Sequence, residues 1–357
     1  MRKVGIYTFI NSENYGALLQ ACALSQICMR YGYRAEFINV ADANSKGFSY
    51  LKNRLWYNIR FLFGYNRRKK RTQSFKDEFI FQAQVPVQFS TYTKFIVGSD
   101  QVWNPYIIGC NSEFLLGHIS DDSKKVAYAA SFGINNIPSD YVEEFKTKLS
   151  RFSAISVRES DGIGILKSID IEKGCQTLDP TLLLSSKEWA ELLKLKTYTY
   201  KYILCYLMPG NPSNPFIVKI GRKLAEKNNM KLVIVGDREY LKLLSNSYKT
   251  TLGPREFVEY ISNAAFVLTN SFHGTCFSVN FNKSFRAFVW NEYGKDNRNS
   301  RILSLLTMLK LESNLSSICS STTTMDIDME SGDFITANAI LSRERNFSLS
   351  FIQNSIQ

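Results

Sequence analysis

The chain has 357 residues, of which 45% are hydrophobic, so it is long enough for two domains and too apolar for a disordered protein. Its net charge of +12 favours an anionic partner such as a phosphorylated small molecule, although a basic surface that serves solubility is the alternative. The seven cysteines are scattered without a C-x-x-C pair, which argues against a zinc site or a disulfide framework. We predict reduced thiols in the cytoplasm, no metal and no cofactor.

The first forty residues alternate between strand and helix signals. A strand over Lys3–Phe9 is followed by a helix over Ala17–Arg30, which Gly32 terminates, and by a strand over Ala35–Val40. This βαβ unit predicts a parallel sheet with a right-handed crossover. The short apolar run at the start is typical of a first strand rather than of a signal peptide. No apolar run approaches the roughly 20 residues of a membrane-spanning helix, so we predict a soluble or peripheral protein.

The segment Ser49–Phe75 differs from the rest of the chain. Aliphatic and aromatic residues recur there at helical spacing, and the basic run Arg67–Arg71 follows them. Such a pattern is typical of a helix that lies on an anionic membrane. The alternative, a helix packed on the first domain with its basic residues in water, is slightly favoured because Lys52 and Arg60 intrude near the apolar face.

The remaining elements alternate in two series. Predicted strands before the lysine-rich linker Lys194–Lys201 are Lys94–Asp100, Lys125–Gly133, Ala154–Glu159 and Cys175–Leu184, and those after it are Tyr202–Met208, Lys231–Asp237, Ala265–Asn270 and Ser284–Trp290. Two doubly wound α/β halves would leave a cleft where the carboxyl ends of their strands face each other. We predict an N-terminal domain over 1–195, a C-terminal domain over 202–335 and a helical tail over 336–357.

The stretch TNSFHGTCFSVNF, residues 269–281, holds His273, one of only two histidines. It joins a buried strand to a helix start, where Ser271 precedes the histidine and Gly274 and Thr275 follow it. Helix-start amides favour an anion, and a histidine there could transfer a proton near neutral pH. The alternative is a histidine held by local hydrogen bonds at a turn, which the local pattern alone favours.

Two polar loops follow predicted strands and would lie at the cleft. The first, INSENYGALLQ, lacks the G-x-G-x-x-G spacing of dinucleotide-binding proteins. The second, VGSDQVWNP, includes Trp103, which could stack on a sugar ring; its alternative is an ordinary strand end and turn. The predicted acceptor or cleft residues are Asn14, Tyr15, Gly16, Ser99, Asp100, Gln101, Trp103 and Asn104.

Arginines near the ends of elements are candidates for binding carboxylate or phosphate. Arg158 ends a predicted strand, and its alternative is an ion pair with Glu159 or another acid. Arg298 and Arg301 lie at a helix start, where cationic side chains oppose the helix dipole and so suggest an anionic ligand. A surface salt bridge is the alternative for these two.

Seven stretches in order, from about Lys3 to about Leu311, together resemble the polysaccharide pyruvyl transferase family. They are NYGALLQACAL, FIVGSDQVWNP, YAASFG, ISVRES, LDPTLLL, LTNSFHGTCFSVNFNKSF and NRNSRI. The resemblance implies two Rossmann-like domains that face each other across a cleft, as in GT-B glycosyltransferases. It also implies transfer of pyruvate from phosphoenolpyruvate to two hydroxyls of a sugar, with a cyclic ketal formed and phosphate released. The acceptor would belong to a cell-envelope or capsular polysaccharide or its lipid-linked precursor.

The resemblance also implies residue roles. The family histidine of the HG motif is regarded as catalytic, and His273 is the matching residue. Some members carry an arginine two residues earlier, where this chain has Ser271. We therefore predict that Arg158 and Arg301 bind the donor, with support from the amides of Gly274 and Thr275. If the acceptor is lipid-linked, segment 49–75 would hold the enzyme at the inner face of the cytoplasmic membrane.

Three other functions fit parts of the sequence. A nucleotide-sugar glycosyltransferase of the same architecture is the main alternative. A nucleic-acid-binding protein would explain the charge, but the basic residues are spread out apart from Arg67–Arg71 and no recognised motif is present, so we predict no nucleic acid partner. A scaffold that binds an envelope-polymer assembly without chemistry is the third.

Overall fold

The computed structural model describes residues 1–40, 58–109, 113–236, 251–291, 299–330 and 332–357, with the backbone only for residues 58–65. Within these residues the strands form two sheets, and all strand pairs in both sheets are parallel. Helices connect successive strands, as parallel pairing requires. Two Rossmann-like α/β halves therefore make up the fold, as the sequence predicts.

The first sheet has six described strands in the order β2-β1-β3-β4-β5-β6. They are β1 Arg2–Tyr7, β2 Tyr33–Phe37, β3 Tyr92–Val97, β4 Lys125–Ala130, β5 Ala154–Val157 and β6 Gly174–Gln176. The order reverses between β1 and β3, so a crevice opens at their carboxyl ends. Loops that carry predicted site residues follow both strands.

The second sheet has five described strands in the order β11-β10-β9-β7-β8. They are β7 Tyr202–Tyr206, β8 Lys231–Val235, β9 Phe266–Thr269, β10 Phe285–Trp290 and β11 Leu315–Ile318. Here the order reverses between β7 and β9, and the stretch with His273 follows β9. The loops at the two crevices line one cavity.

Helices cover both faces of the sheets. They are α1 Tyr15–Arg30, α2 Asn58–Phe79, α3 Pro105–Ile108, α4 Ser139–Leu149, α5 Ser160–Ser168, α6 Ser186–Leu193, α7 Asn214–Lys227, α8 Pro254–Asn263, α9 Phe272–Asn280, α10 Ser300–Met308 and α11 Phe334–Ile356. Side chains cap the helices at the site, because the first amides of a helix lack internal partners. Asn14 accepts from the amide of Gly16 at the start of α1, and Ser271 accepts from that of Gly274 at the start of α9.

One strand prediction is wrong. The apolar run Cys175–Leu184 forms a strand only over Gly174–Gln176, and a 3₁₀ turn follows over Pro180–Leu182. Pro180 has no amide hydrogen for a sheet, and the carboxylate of Asp179 accepts from the amide of Thr181 at 2.9 Å, which starts the turn. The leucines of this run are buried in a loop between the domains rather than in a strand.

The two halves pack on each other through a common apolar core, which contains residues of α1, α8 and α9. The hydroxyl of Tyr15 in α1 donates to the carbonyl of Leu252 at 2.7 Å, and Asn280 in α9 donates to the carbonyls of Thr181 and Leu184 at 3.1 and 2.8 Å. These contacts fix the first domain against the second. The domain limits 1–195 and 202–335 stay predictions.

The C-terminal helix α11 returns to the first domain. Ser348 is fully buried, and its hydroxyl accepts from the amide of Leu178 at 3.0 Å. One turn earlier, Arg345 donates to the carbonyl of Leu182 at 2.7 Å and to the side chain of Asn280 at 3.3 Å. The helix predicted as a tail over 336–357 therefore holds the loop that follows β6.

Helix α2 contains the basic run Arg67–Arg71, and it packs against α1 and α8. Arg71 contacts Glu256 at 3.2 Å and the carbonyl of Thr251 at 2.9 Å, while Phe75 and Phe79 are buried. Residues 49–57 of the predicted membrane segment lie outside the described residues. Of the described helices, none combines the length and apolar character needed to cross a bilayer.

Candidate active site

A cavity of about 920 Å³ lies between the two domains. The loops after β1, β2 and β3 form one wall, and the loops after β7 and β9, with the start of α10, form the other. Both walls are thus built at the carboxyl ends of parallel strands, where α/β proteins bind their ligands. The ionisable side chains among the described residues of the wall are Asp100, His273 and Arg301.

His273 lies in the first turn of α9 and lines this cavity, with 5% of its surface exposed. Its imidazole packs against the backbone of Gly16 in the other domain. A Cβ atom on residue 16 would lie 2.0 Å from Nδ1 of the ring, far inside any van der Waals contact. The glycine of the NYG stretch is therefore what lets the imidazole reach across the domain boundary.

The two ring nitrogens of His273 have different surroundings. Nε2 is buried without a hydrogen-bond partner and lies 3.6 Å from Oδ2 of Asp179. Nδ1 lies on the edge beside Gly16. The ring therefore has a carboxylate on its Nε2 side and the backbone of the other domain on its Nδ1 side.

Asp179 is fully buried, and other residues fix both of its oxygens. Oδ2 accepts from the hydroxyl of Ser99 at 2.8 Å and from Arg158 at 2.9 Å, and Oδ1 accepts from the amide and hydroxyl of Thr181. Burial alone would raise the pKa of Asp179, but the nearby His273, Arg158 and Thr181 hold it well below its usual range. The carboxylate therefore stays ionised behind the imidazole.

Arg158 is part of this buried network and does not line the cavity. Its guanidinium pairs with Asp179 at 2.9 Å and approaches Asp100 at 3.7 Å and Glu159 at 3.9 Å. Burial would lower the pKa of Arg158, but these three carboxylates raise it. The sequence left open that Arg158 forms an ion pair with neighbouring acids instead of binding a ligand. Its surroundings in the structure match this alternative.

Arg301 lies at the start of α10, lines the cavity and is partly exposed. The ring of Phe272 lies close to both arginines, with its centroid 4.4 Å from Cζ of Arg158 and 5.9 Å from Cζ of Arg301. This aromatic ring also lines the cavity. Arg298, the other candidate at this helix start, lies outside the described residues.

The residues around His273 are engaged within their own helix. Ser271 lines the cavity and caps α9, and its hydroxyl accepts from the amide of Gly274 at 3.3 Å. The amide of Thr275 donates to the carbonyl of Ser271 at 2.9 Å. Both amides predicted to support phosphate are thus occupied, and neither Gly274 nor Thr275 is part of the described cavity wall.

The loop after β3 divides between core and cavity. Trp103 is fully buried and donates from Nε1 to the carbonyl of Phe114 at 3.1 Å, so it is not available to stack on a sugar. Ser99 and Asn104 are also buried; Ser99 holds Asp179, and Asn104 caps α3. The predicted roles of these three residues as ligand contacts are therefore corrected to structural ones.

Asp100 and Gln101 do line the cavity. Asp100 has a positive φ of 78°, and its carboxylate accepts from the amide of Gln101 at 3.0 Å. Nε2 of Gln101 is buried without a partner, and it lies where a Cβ on Gly133 would be, at 1.9 Å. This nitrogen therefore packs on Gly133, which is not part of the described cavity wall.

The first loop has a similar division. Asn14 lines the cavity as the cap of α1, whereas Tyr15 is buried against the second domain and does not line it. Asn11 and Asn39, which follow β1 and β2, also line the cavity and were missed in the sequence. The one feature of the sequence that could have indicated them is their position, because each asparagine follows a strand of the parallel sheet. Asp179 was missed too, although its stretch LDPTLLL was noted.

Comparison with known proteins gives one family match. The sequence model of the family described as polysaccharide pyruvyl transferase matches residues 14–292, which is most of the chain. The match includes His273 and Asp179, whereas Asn11 and Arg301 of the cavity wall lie outside it. A search of curated proteins finds no match.

Solved structures resemble the fold only distantly. An uncharacterised protein from Klebsiella pneumoniae shares 14% identity at a TM-score of 0.47, over 88% of this chain and 92% of that one. The UDP-GlcNAc 2-epimerase of Neisseria meningitidis shares 9% identity at a TM-score of 0.45, over 98% and 94%. MurG of Acinetobacter baumannii shares 9% identity at a TM-score of 0.43, over 100% and 99%.

Proposed function

Because the chain belongs to the polysaccharide pyruvyl transferase family, we propose that it transfers the pyruvyl group of phosphoenolpyruvate to two hydroxyls of a sugar. The sugar would belong to a cell-envelope or capsular polysaccharide, or to its lipid-linked precursor. The observation that carries this proposal is the position of His273, whose ring lies at the cavity between Gly16 of one domain and the buried Asp179.

The donor is a small anion with a carboxylate and a phosphate, so its site needs several donors close together. Arg301 is the arginine of the described cavity wall, and Gln101 adds a neutral polar side chain to the same wall. We assign donor binding to these two residues. Arg158 takes a different role in the proposal, since its charge is used by buried carboxylates and it acts by fixing Asp179.

The reaction begins with protonation of the donor's methylene carbon, which leaves a cationic carbon beside the carboxylate. A sugar hydroxyl attacks this carbon and loses its proton, phosphate departs with the electrons of the carbon–oxygen bond, and the second hydroxyl adds in the same way. His273 is suited to both tasks, because an imidazole can give a proton to the methylene carbon and then accept one from a hydroxyl.

Asp179 supports this cycle from behind. In this cycle His273 is an imidazolium before it protonates the donor and again after each hydroxyl attack. In that form it faces the carboxylate of Asp179, which the other partners of Asp179 keep ionised. The 3.6 Å between Nε2 and Oδ2 is longer than a hydrogen bond, and catalytic hydrogen bonds often tighten only once a substrate is bound. Asp179 is thus a positioning residue for His273.

The proposed role of His273 is tested by His273→Gln, which keeps a polar side chain of similar size. We expect phosphate release from phosphoenolpyruvate, measured with a panel of glycosides, to fall by a factor on the order of 10²–10⁴ while the protein stays folded. Pyruvate gain with loss of water, detected by mass spectrometry on the acceptor, identifies the ketal. Near-normal turnover in a folded variant would remove the catalytic role of His273.

A nucleotide-sugar glycosyltransferase is the alternative that the architecture leaves open. The two functions differ in the ligand that stabilises the protein, because a bound ligand raises the melting temperature. We expect phosphoenolpyruvate to raise it and UDP-sugars to leave it unchanged. A shift with a UDP-sugar alone would favour the glycosyltransferase.

Peripheral binding to an anionic membrane is a further part of the proposal. In α2, Arg67, Lys69 and Lys70 are exposed, whereas Arg68 and Arg71 contact other parts of the protein. Three exposed cations on one helix would add about 1 kcal/mol each near an anionic surface. Flotation with liposomes that contain or lack phosphatidylserine tests this, and equal flotation of both would count against membrane binding.

A further inference from the structure

Two asparagines form a polar pair on the wall that the first domain contributes to the cavity. Asn11 follows β1 and Asn39 follows β2, and these two strands are neighbours in the parallel sheet. The side-chain amide of Asn11 donates to the side-chain carbonyl of Asn39 at 2.8 Å. Both residues are exposed and both line the cavity.

The pair keeps one whole side-chain carbonyl and one whole NH₂ group that no described residue engages. Its internal bond uses one N–H and one carbonyl, which leaves the carbonyl of Asn11 and the NH₂ group of Asn39 without described partners. If both amides were turned by 180°, the two residues would exchange these roles, but one carbonyl and one NH₂ group would still remain. The pair therefore presents an acceptor next to a donor.

The pair has apolar neighbours on the same wall, although the next residue after Asn11, Ser12, is polar. Its chain neighbours Ile10 and Val40 are buried and line the cavity. Phe9 and Phe114 line it as well, and their rings meet edge to face with centroids 5.1 Å apart. A ligand that binds this pair can therefore bury a small apolar group beside its polar one.

An N-acylamino group matches both properties. Its N–H and C=O can pair with the free carbonyl and the free NH₂ group, and its acyl methyl suits an apolar wall. The asparagine pair is itself uncharged, and the ionisable side chains of the described cavity wall are Asp100, His273 and Arg301. We propose that Asn11 and Asn39 form an acceptor subsite that binds a sugar carrying an N-acylamino group; this inference rests on the proposed pyruvyl transfer.

Matched glycosides test the subsite by equilibrium binding without donor, measured by saturation-transfer NMR on the full chain. The pairs are p-nitrophenyl glycosides of N-acetylglucosamine with glucose, N-acetylgalactosamine with galactose and N-acetylmannosamine with mannose. We expect at least one N-acetyl glycoside to bind about tenfold more tightly than its partner. In Asn11→Ala and Asn39→Ala this preference should fall to within about twofold, while Asn136→Ala, an exposed asparagine that is not part of the cavity wall, should keep it.

Asn39→Asp is the second variant, because it keeps the size of the side chain but loses its NH₂ donor. It should lose the preference as the alanine variants do. Equal affinity for both members of every pair, no binding of any N-acetyl glycoside, or an unchanged preference in the variants would each overturn the subsite. Calorimetry with phosphoenolpyruvate alone separates the two proposals. The affinity for phosphoenolpyruvate should be the same in all of these variants as in the wild type. If the wild-type protein does not bind phosphoenolpyruvate, the proposed donor is refuted but the acceptor subsite is not.

Discussion

Replacing Gly16 with alanine should disable the site with little effect on the fold. A Cβ on residue 16 would lie 2.0 Å from Nδ1 of His273, whereas carbon and nitrogen atoms pack at roughly 3.4 Å or more. The imidazole must therefore shift by about 1.4 Å or rotate away, and a misplacement of about 1 Å costs on the order of 10² in rate. The methyl group is also forced into a packed interface, which costs about 1–3 kcal/mol of the free energy of unfolding. Better helix propensity offsets up to about 1 kcal/mol of this in α1.

The assay for Gly16→Ala is the initial rate of phosphate release, together with thermal unfolding of the same preparation. Gly164→Ala in α5 is the matched control, because a Cβ there meets no atom within 4 Å. The control should keep its activity, and its melting temperature should be unchanged or slightly higher, because alanine favours the helix. If Gly16→Ala stays folded and its rate remains within about threefold of the wild type, the imidazole is not where the reaction requires it.

Three more outcomes follow from the same site. Arg301→Gln should raise the KM for phosphoenolpyruvate by about tenfold or more with an unchanged melting temperature, and an unchanged KM would remove Arg301 from the donor site. Asp179→Asn should lower kcat by about 10²-fold. Because the pKa of Asp179 is lower in the folded chain than the unfolded value of about 3.9, its stabilising contribution is present above that pH and is lost as the pH falls further, so acid titration of unfolding should be less steep in this variant. Ser348→Ala should lower kcat several-fold through the loop that carries Asp179, whereas the exposed Ser342→Ala in the same helix should not; equal rates for both variants would contradict this.

The two-domain fold could be predicted because its strands are buried apolar runs that alternate with helical patterns. The prediction of a strand failed at Cys175–Leu184, because most of this run is buried without forming a strand. Leu182 and Leu183 are fully buried, but they lie in a loop between two domains, and a local apolar pattern does not distinguish that position from a sheet. Asp179 and Pro180, which favour a turn, decided the local structure here, although the neighbouring leucines favoured a strand.

The site was predictable where chemistry and local structure coincide. A catalytic role for His273 could be proposed from the family resemblance, because the local pattern alone favoured a histidine held by hydrogen bonds at a turn. Asp179 is brought to His273 only by the packing of the two domains. Trp103 shows the opposite error: an aromatic residue just after a strand can stack on a sugar or fill the core, and its burial depends on Phe132 and Phe152, whose rings lie 5.2 and 5.9 Å away. Such distances follow from tertiary structure alone.

Helix α11 gives the protein an order of assembly. Its contacts with Leu178 and Leu182 hold the two ends of the loop around Asp179, yet α11 follows every other described element along the chain. While the protein is being made on the ribosome, both sheets can form before these contacts exist. Until residues 334–356 are available, the loop that carries Asp179 lacks the contacts that Ser348 and Arg345 provide.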